Sequence, residues 1–295
     1  MKKTVSSLTL ILIGLFVVLS LLDIRGDYAV EEILWNANKR LSDAARTPEA
    51  VPDKVFEEII AQYQRVIKGF PDSKLVPKAF IFLGRAYLVK KDYSTARQRL
   101  REVIGRFPKD DVNCVEALSA IGSSYELQGN WPEALKVYYE IKNDYPLTDL
   151  GLSVPLYIAN HYTKNQQAAN AISAFDAAES YYTQMADGHS NTPIEFKSLT
   201  LLSNCLLAQK KWTDAINTMG RIIIKFPSPN IVAPTMKTIN AIALTQIKDF
   251  DGVIAIYQDF LEKHPKSPLN KTVQQMIQAF KGLKGKNIKV TEKVK

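Results

Sequence analysis

One stretch of this 295-residue chain occurs twice, and that repetition restricts the fold more than any other feature. Phe80, Leu83, Gly84 and Tyr87 fall at helical spacing on one face. Tyr93, Ala96, Leu100 and Val103 do the same in the next segment, and Pro108 stops it from continuing as helix. The order returns 38 residues later as Leu118, Ile121, Gly122 and Tyr125, then Trp131, Ala134, Tyr138, Ile141 and Pro146. Each copy is expected to be two helices joined by a short turn, at Lys90-Lys91-Asp92 in the first. Gly84 and Ala96 are expected where the helices approach closely, with Phe80, Tyr87 and Leu100 filling the space around them.

Weaker copies flank these two. Phe56, Ile59, Tyr63, Val66 and Pro71 form the second half of an earlier unit. Before it, Tyr28, Ile33, Leu34 and Leu41 predict an amphipathic helix from Asp27 to about Arg46. After Pro146 come Ala159, Tyr162, Ala171, Phe175 and Ala178. Ser203 takes the next glycine position late, 44 residues after Ala159, with Leu202, Leu206, Trp212, Ala215, Met219, Ile222 and Pro227 around it. An insertion of about six residues near the polar stretch Ala186 to Pro193 is therefore expected as a surface loop. A fifth unit places Ala241 at the small position, then Leu244, Phe250, Val253, Tyr257, Phe260 and Pro265. A last helix, about Ser267 to Leu283, is expected to cover the end. Ser73, Asp110, Thr148, Ser228 and Ser267 follow the closing prolines and are good N-cap types.

The order aromatic-x-x-Leu-Gly-x-x-Tyr, then alanine, then a large residue, then proline resembles the tetratricopeptide repeat. The resemblance implies an all-α superhelical solenoid of helix–turn–helix repeats over 27–284. Its packing residues are Leu83, Gly84, Tyr87, Ala96, Pro108, Gly122, Tyr125, Ala134, Pro146, Ala171, Ala215, Pro227 and Pro265. It also implies that the first helices line a concave groove for peptide segments. The groove candidates are Lys78, Arg85, Glu126, Asn160, Lys164, Lys197 and Asn204. The asparagine amides suit an extended peptide backbone. Arg85, Lys164 and Lys197 suit acidic side chains or a carboxylate. Phe70-Pro71-Asp72-Ser73-Lys74, Leu83-Gly84-Arg85-Ala86-Tyr87 and Lys91-Asp92-Tyr93 are similar to segments of bacterial envelope repeat proteins of the BamD and YbgF (Tol–Pal partner) style.

The chain opens with Lys2 and Lys3, then nothing charged from Thr4 to Leu22. Those 19 residues approach the roughly 20 needed to span a bilayer. No small-x-small cleavage site follows, which favours an uncleaved anchor in segment 1–26 over a cleaved signal. The lysines would stay cytoplasmic, and the body would lie in the periplasm of a bacterium. The alternative is a soluble periplasmic or secreted protein after cleavage, for which the resemblance implies a role in outer-membrane protein assembly or Tol–Pal-type envelope maintenance.

The formal charge of +8 is concentrated at the C-terminus, where nine lysines stand against two glutamates between Phe260 and Lys295. Segment 285–295 is thus a basic tail. Cys114 and Cys205 sit two units apart, too far to pair, and read as small apolar fillers. His161, His189 and His264 lack metal-type spacing, and no nucleophile or phosphate-loop motif occurs. The chain is accordingly expected to bind protein partners along the groove and the membrane through residues 4–22. No enzymatic activity, cofactor, metal, nucleic acid or small-molecule substrate is expected.

Overall fold

The computed structural model describes residues 28–293 apart from residue 249, with side chains as far as residue 284. Every regular element among them is helical, as the repeat pattern requires. Helix α1 covers 28–44. It is followed by α2 (Asp53–Gly69), α3 (Val76–Val89), α4 (Tyr93–Arg106), α5 (Asp111–Leu127) and α6 (Trp131–Asp144). Then come α7 (Asp149–Lys164), α8 (Ala168–Gly188), α9 (Pro193–Ala208), α10 (Trp212–Lys225), α11 (Pro229–Ile242), α12 (Phe250–Lys263) and α13 (Asn270–Lys293). The apolar run 4–22 and the side chains of the basic tail lie outside the described residues. No described helix is long and apolar enough to cross a membrane. The chain divides into two compact units between Gly151 and Leu152, inside α7.

In the first unit α1 buries Val30, Leu34, Ala37, Leu41 and Ala44 against Phe56, Ile59 and Tyr63 of α2. Tyr28, expected on that stripe, is 66 % exposed instead. Helix α3 packs on α4, and α5 on both α4 and α6. A Cβ on Gly84 would lie 2.5 Å from Leu100 Cγ, and one on Gly122 would lie 2.7 Å from the Tyr138 ring. Both glycines therefore stand where a second helix's large side chain meets backbone.

Each hairpin turn carries one left-handed residue: Lys91, Gly129, Gln166, Lys210 or Lys248. The first four turns close alike, with Asp92 N, Asn130 N, Gln167 N and Lys211 N donating to the carbonyls of Tyr87, Tyr125, Tyr162 and Leu206. This is the glycine-type helix ending, and only Gly129 supplies the glycine that makes it free of strain. The next helix is then capped from the turn, by Asp92 Oδ1 on Thr95 N (3.1 Å) and by Asn130 Oδ1 on Glu133 N (3.4 Å). Of the N-caps expected after the prolines, Asp110 accepts from Asn113 N at 3.1 Å. Ser228 occupies the N-cap of α11 without a side-chain bond.

Three features of the second unit depart from the sequence reading. The insertion is not a loop. It lengthens α8 to 21 residues, against 14 in α4, α6, α10 and α12, because no breaker interrupts the helix before Gly188. The fifth unit is also shifted by one residue. Ala241 is exposed, Leu244 is 46 % exposed, and Ala243 is buried. A single π turn at Ala243–Ile247 takes up the extra residue, so Asn240 replaces Gly122 in the pattern. There its Oδ1 accepts from the hydroxyl of Tyr257, the counterpart of Tyr138, at 2.6 Å. The last helix packs Val273, Ile277 and Phe280 against α12, with the Phe280 ring 5.4 Å from that of Phe250. It runs to Lys293, beyond the expected Leu283.

Candidate peptide-binding faces

In the first unit the groove candidates sit on α3 and α5, and two of the three are engaged by the fold itself. Arg85 Nη2 lies 2.9 Å from Glu116 Oε1. Glu126 Oε1 accepts from the Tyr138 hydroxyl at 2.6 Å, fixing the ring that faces Gly122. Lys78 is exposed. The Arg85–Glu116 pair is solvent-accessible and worth at most about 1 kcal/mol, so an acidic ligand would exchange one partner for another.

In the second unit Asn160 and Lys164 are exposed on α7, Lys197 is half-buried on α9, and Asn204 is exposed on α9. Of these only Asn204 lines a cleft of about 290 Å³ between α9 and α11, floored by Met219 and Ile222 of α10. Asn160, Lys164 and Lys197 are not brought to it. The cleft wall is chemically distinctive. The hydroxyls of Thr200, Thr235 and Thr238 donate to the carbonyls of Phe196, Ile231 and Pro234, four residues back, at 2.8, 2.7 and 3.2 Å. Such back-bonding satisfies the hydroxyls locally, so the threonines contribute mainly methyl surface. What remains is the carboxamide of Asn204 and that of Asn230, both exposed. The sequence reading missed Asn230. The signal was the Ser228-Pro229 helix start, which puts residue 230 on the first turn of α11 beside the groove. No charged side chain lines the cleft.

Behind α9 lies a buried charge. Glu195 is fully buried, and its Oε2 accepts from Asn191 N at 2.6 Å while Thr192 Oγ1 accepts from Glu195 N at 3.3 Å. This is a variant of the reciprocal capping box, reaching back one residue further than usual. Lys225 of α10 binds Glu195 Oε1.

The described residues hold no group of three or more histidine, cysteine or acidic side chains placed for a metal. His189 Nδ1 hydrogen-bonds with Met185 O and His264 Nε2 with Ile224 O, so both serve the backbone. Both cysteines are free and buried, and burial lifts their thiols, Cys205 to about 11. Neither is therefore a thiolate near neutrality.

Residues 81–146, which span α3 to α6, match the model of a family described as tetratricopeptide repeat. No curated protein matches the sequence. Solved structures similar to this chain include the TPR2AB-domain:pHSP90 complex of yeast Sti1 (14 % identity, 83 % of this chain and 98 % of that one, TM-score 0.31). Others are BtubC (BKLC) from P. vanneervenii (12 %, 84 % and 92 %, TM-score 0.38) and a tetratricopeptide repeat protein from Parabacteroides merdae (11 %, 84 % and 99 %, TM-score 0.36). At those identities and TM-scores the likenesses bear on nothing beyond themselves. The helix pairs α3–α4 and α5–α6 are thus the part of the chain that the tetratricopeptide model matches.

Proposed function

We propose that the chain is a scaffold that binds an extended, largely uncharged segment of another protein in the α9–α11 cleft. The observation that carries this is the pairing of two unengaged carboxamides, Asn204 and Asn230, across a methyl-rich wall. An amide both donates and accepts, as a peptide backbone does, and the apolar floor suits one side chain of the segment. The family match over residues 81–146 supports a binding role rather than catalysis. The test is a photo-crosslinking residue introduced at Thr200 in the cleft, with exposed Glu57 on α2 as control. The expected result is a discrete protein adduct from residue 200 alone. Equal labelling from both positions would overturn the reading.

With the captured segment in hand, the double change Asn204→Ala/Asn230→Ala is expected to weaken binding roughly tenfold to a hundredfold. That follows from two net hydrogen bonds of about 0.5–1.5 kcal/mol each. Folding should be unaltered, because both side chains are solvated. An unchanged affinity would remove the carboxamides from the interface.

The location of this scaffold is part of the proposal: a bacterial envelope, with residues 4–22 as an uncleaved inner-membrane anchor and the body in the periplasm. The uncharged 19-residue run behind two lysines supports it. The full-length chain is then expected in the membrane pellet after an alkaline carbonate wash. Recovery in the soluble fraction with a new N-terminus near residue 30 would overturn the anchor.

A further inference from the structure

In the first unit the crevice between one hairpin and the next is plugged by Arg97 of α4. Its Nη1 donates to Ser124 Oγ (3.2 Å) and Gln128 Oε1 (2.6 Å), and its guanidinium lies 4.3 Å from the centroid of the Tyr125 ring. The corresponding position in α8, again one residue after the small alanine, is Ile172. It is 63 % exposed, whereas the isoleucines at this position in α10 and α12, Ile216 and Ile254, are 3 % and 7 % exposed. The crevice beside Ile172 is a hollow of about 540 Å³, walled by Ala168, Ala171, Phe175 and Ala208, with Gln209 and Lys211 at the rim.

The groups that seat the guanidinium in the first unit are missing here. Cys205 and Leu206 stand where Ser124 and Tyr125 do, and Gln209 Nε2 is turned to Glu179. The hollow is therefore a seat for an apolar side chain. Next to it along α8 a second hollow, of about 480 Å³, carries Asp176, Glu179 and Asp187. Lys211 is 2.7 Å from Glu179 but 3.7 Å from Asp176, and Arg221 is 3.0 Å from Asp187. Three carboxylates face two cations, and the aspartates remain 62 % and 61 % exposed. The shelf is net negative. Ile172 and Asp187 are fifteen residues apart on one helix, roughly 22 Å.

We propose that this edge of α8 is a second docking surface, for an amphipathic helix of another protein. The helix sets an apolar side chain into the hollow and basic residues along Asp176, Glu179 and Asp187. The surface is separate from the α9–α11 cleft, and its partner chemistry is opposite: cationic rather than uncharged.

The test uses the full chain carrying an environment-sensitive dye at Ser180→Cys on the shelf, since buried Cys114 and Cys205 leave the new thiol as the reactive one. The probes are two 18-residue helical peptides, one of leucine and lysine and one of leucine and glutamate. The lysine peptide is expected to shift the dye emission saturably, and the glutamate peptide is not. Ile172→Arg, which sets a cation at the mouth of the apolar hollow and against a basic probe, and Asp176→Lys are each expected to weaken the response at least tenfold with native helicity. Asn204→Ala should leave it unchanged. Equal response to both peptides, or none of the tenfold losses, overturns the proposal. Loss on Asn204→Ala would move the binding to the cleft, and self-association abolished by Ile172→Arg would make a second copy the occupant; either also overturns it.

Discussion

Replacing Lys225 by methionine is expected to cost the second unit about 1–3 kcal/mol, because it leaves the buried Glu195 without a partner although Lys225 itself is 35 % exposed. Glu195 would keep its bond from Asn191 N and remain without exposure to water, so its charge would be left largely uncompensated. The loss should appear as a lower urea midpoint with an unchanged slope. The double change Glu195→Gln/Lys225→Met should recover most of it, because the cost belongs to the orphaned charge rather than to the missing lysine. A single Lys225→Met variant as stable as the parent would show that water reaches Glu195.

The same pair gives a pH signature with a definite sign. Burial pushes the Glu195 carboxyl up, but the Lys225 ammonium and the Asn191 N–H outweigh it and hold the group below its ordinary 4.5. A depressed folded value means that the unfolded chain binds the proton more readily. The contribution is complete above about 4.5 and is lost as the pH falls through the lower folded value. In Lys225→Met the Lys225 contribution is gone while the Asn191 N–H remains, so the loss of stability on acidification below about 4.5 should shrink.

What could be read from the sequence followed the distance over which each feature is encoded. The hairpins were legible because apolar spacing, small residue and closing proline all fall within 38 residues and return in register. The extension of α8 was not, since a polar stretch with one glycine looks like a loop although Gln184, Met185 and Ala186, which lead into it, are good helix formers. The register of the fifth unit failed for another reason. A π turn changes the count by one residue without changing composition, and only the burial of Ala243 beside exposed Ala241 exposes it. The Thr192–Glu195 capping arrangement was missed because the segment reads as a loop, and its third member, Lys225, lies 30 residues away on another helix. Arg85 suits an acidic ligand by residue type, and nothing local marks Glu116, one repeat on, as its partner. The α8 hollow likewise becomes visible only when Ile172 is set against its buried counterparts Ile216 and Ile254.

Gly151→Ala is expected to destabilise the end of the first unit by about 3 kcal/mol, at the top of the usual range for overpacking. A Cβ there would lie 2.0 Å from the Tyr145 carbonyl oxygen and 2.9 Å from its carbon. That oxygen is itself held, accepting from Thr148 N at 3.2 Å and from Thr148 Oγ1 at 2.8 Å, while Gly151 N donates to the same Oγ1 at 3.0 Å. The obstacle is therefore backbone locked by three hydrogen bonds, and the first turn of α7 must lift away to admit a methyl group. Gly84 differs, because its obstacle is the Leu100 side chain, which has rotamers to change. Gly105 in α4 differs in the other direction: a Cβ meets nothing within 4 Å, so Gly105→Ala should raise stability by up to about 1 kcal/mol through reduced backbone entropy of the unfolded chain. Urea melts of the two alanine variants should thus move to opposite sides of the parent. A Gly151→Ala midpoint at or above that of the parent would mean that the Tyr145–Thr148 turn yields at no cost, and the close approach of α7 to it would then have no energetic consequence.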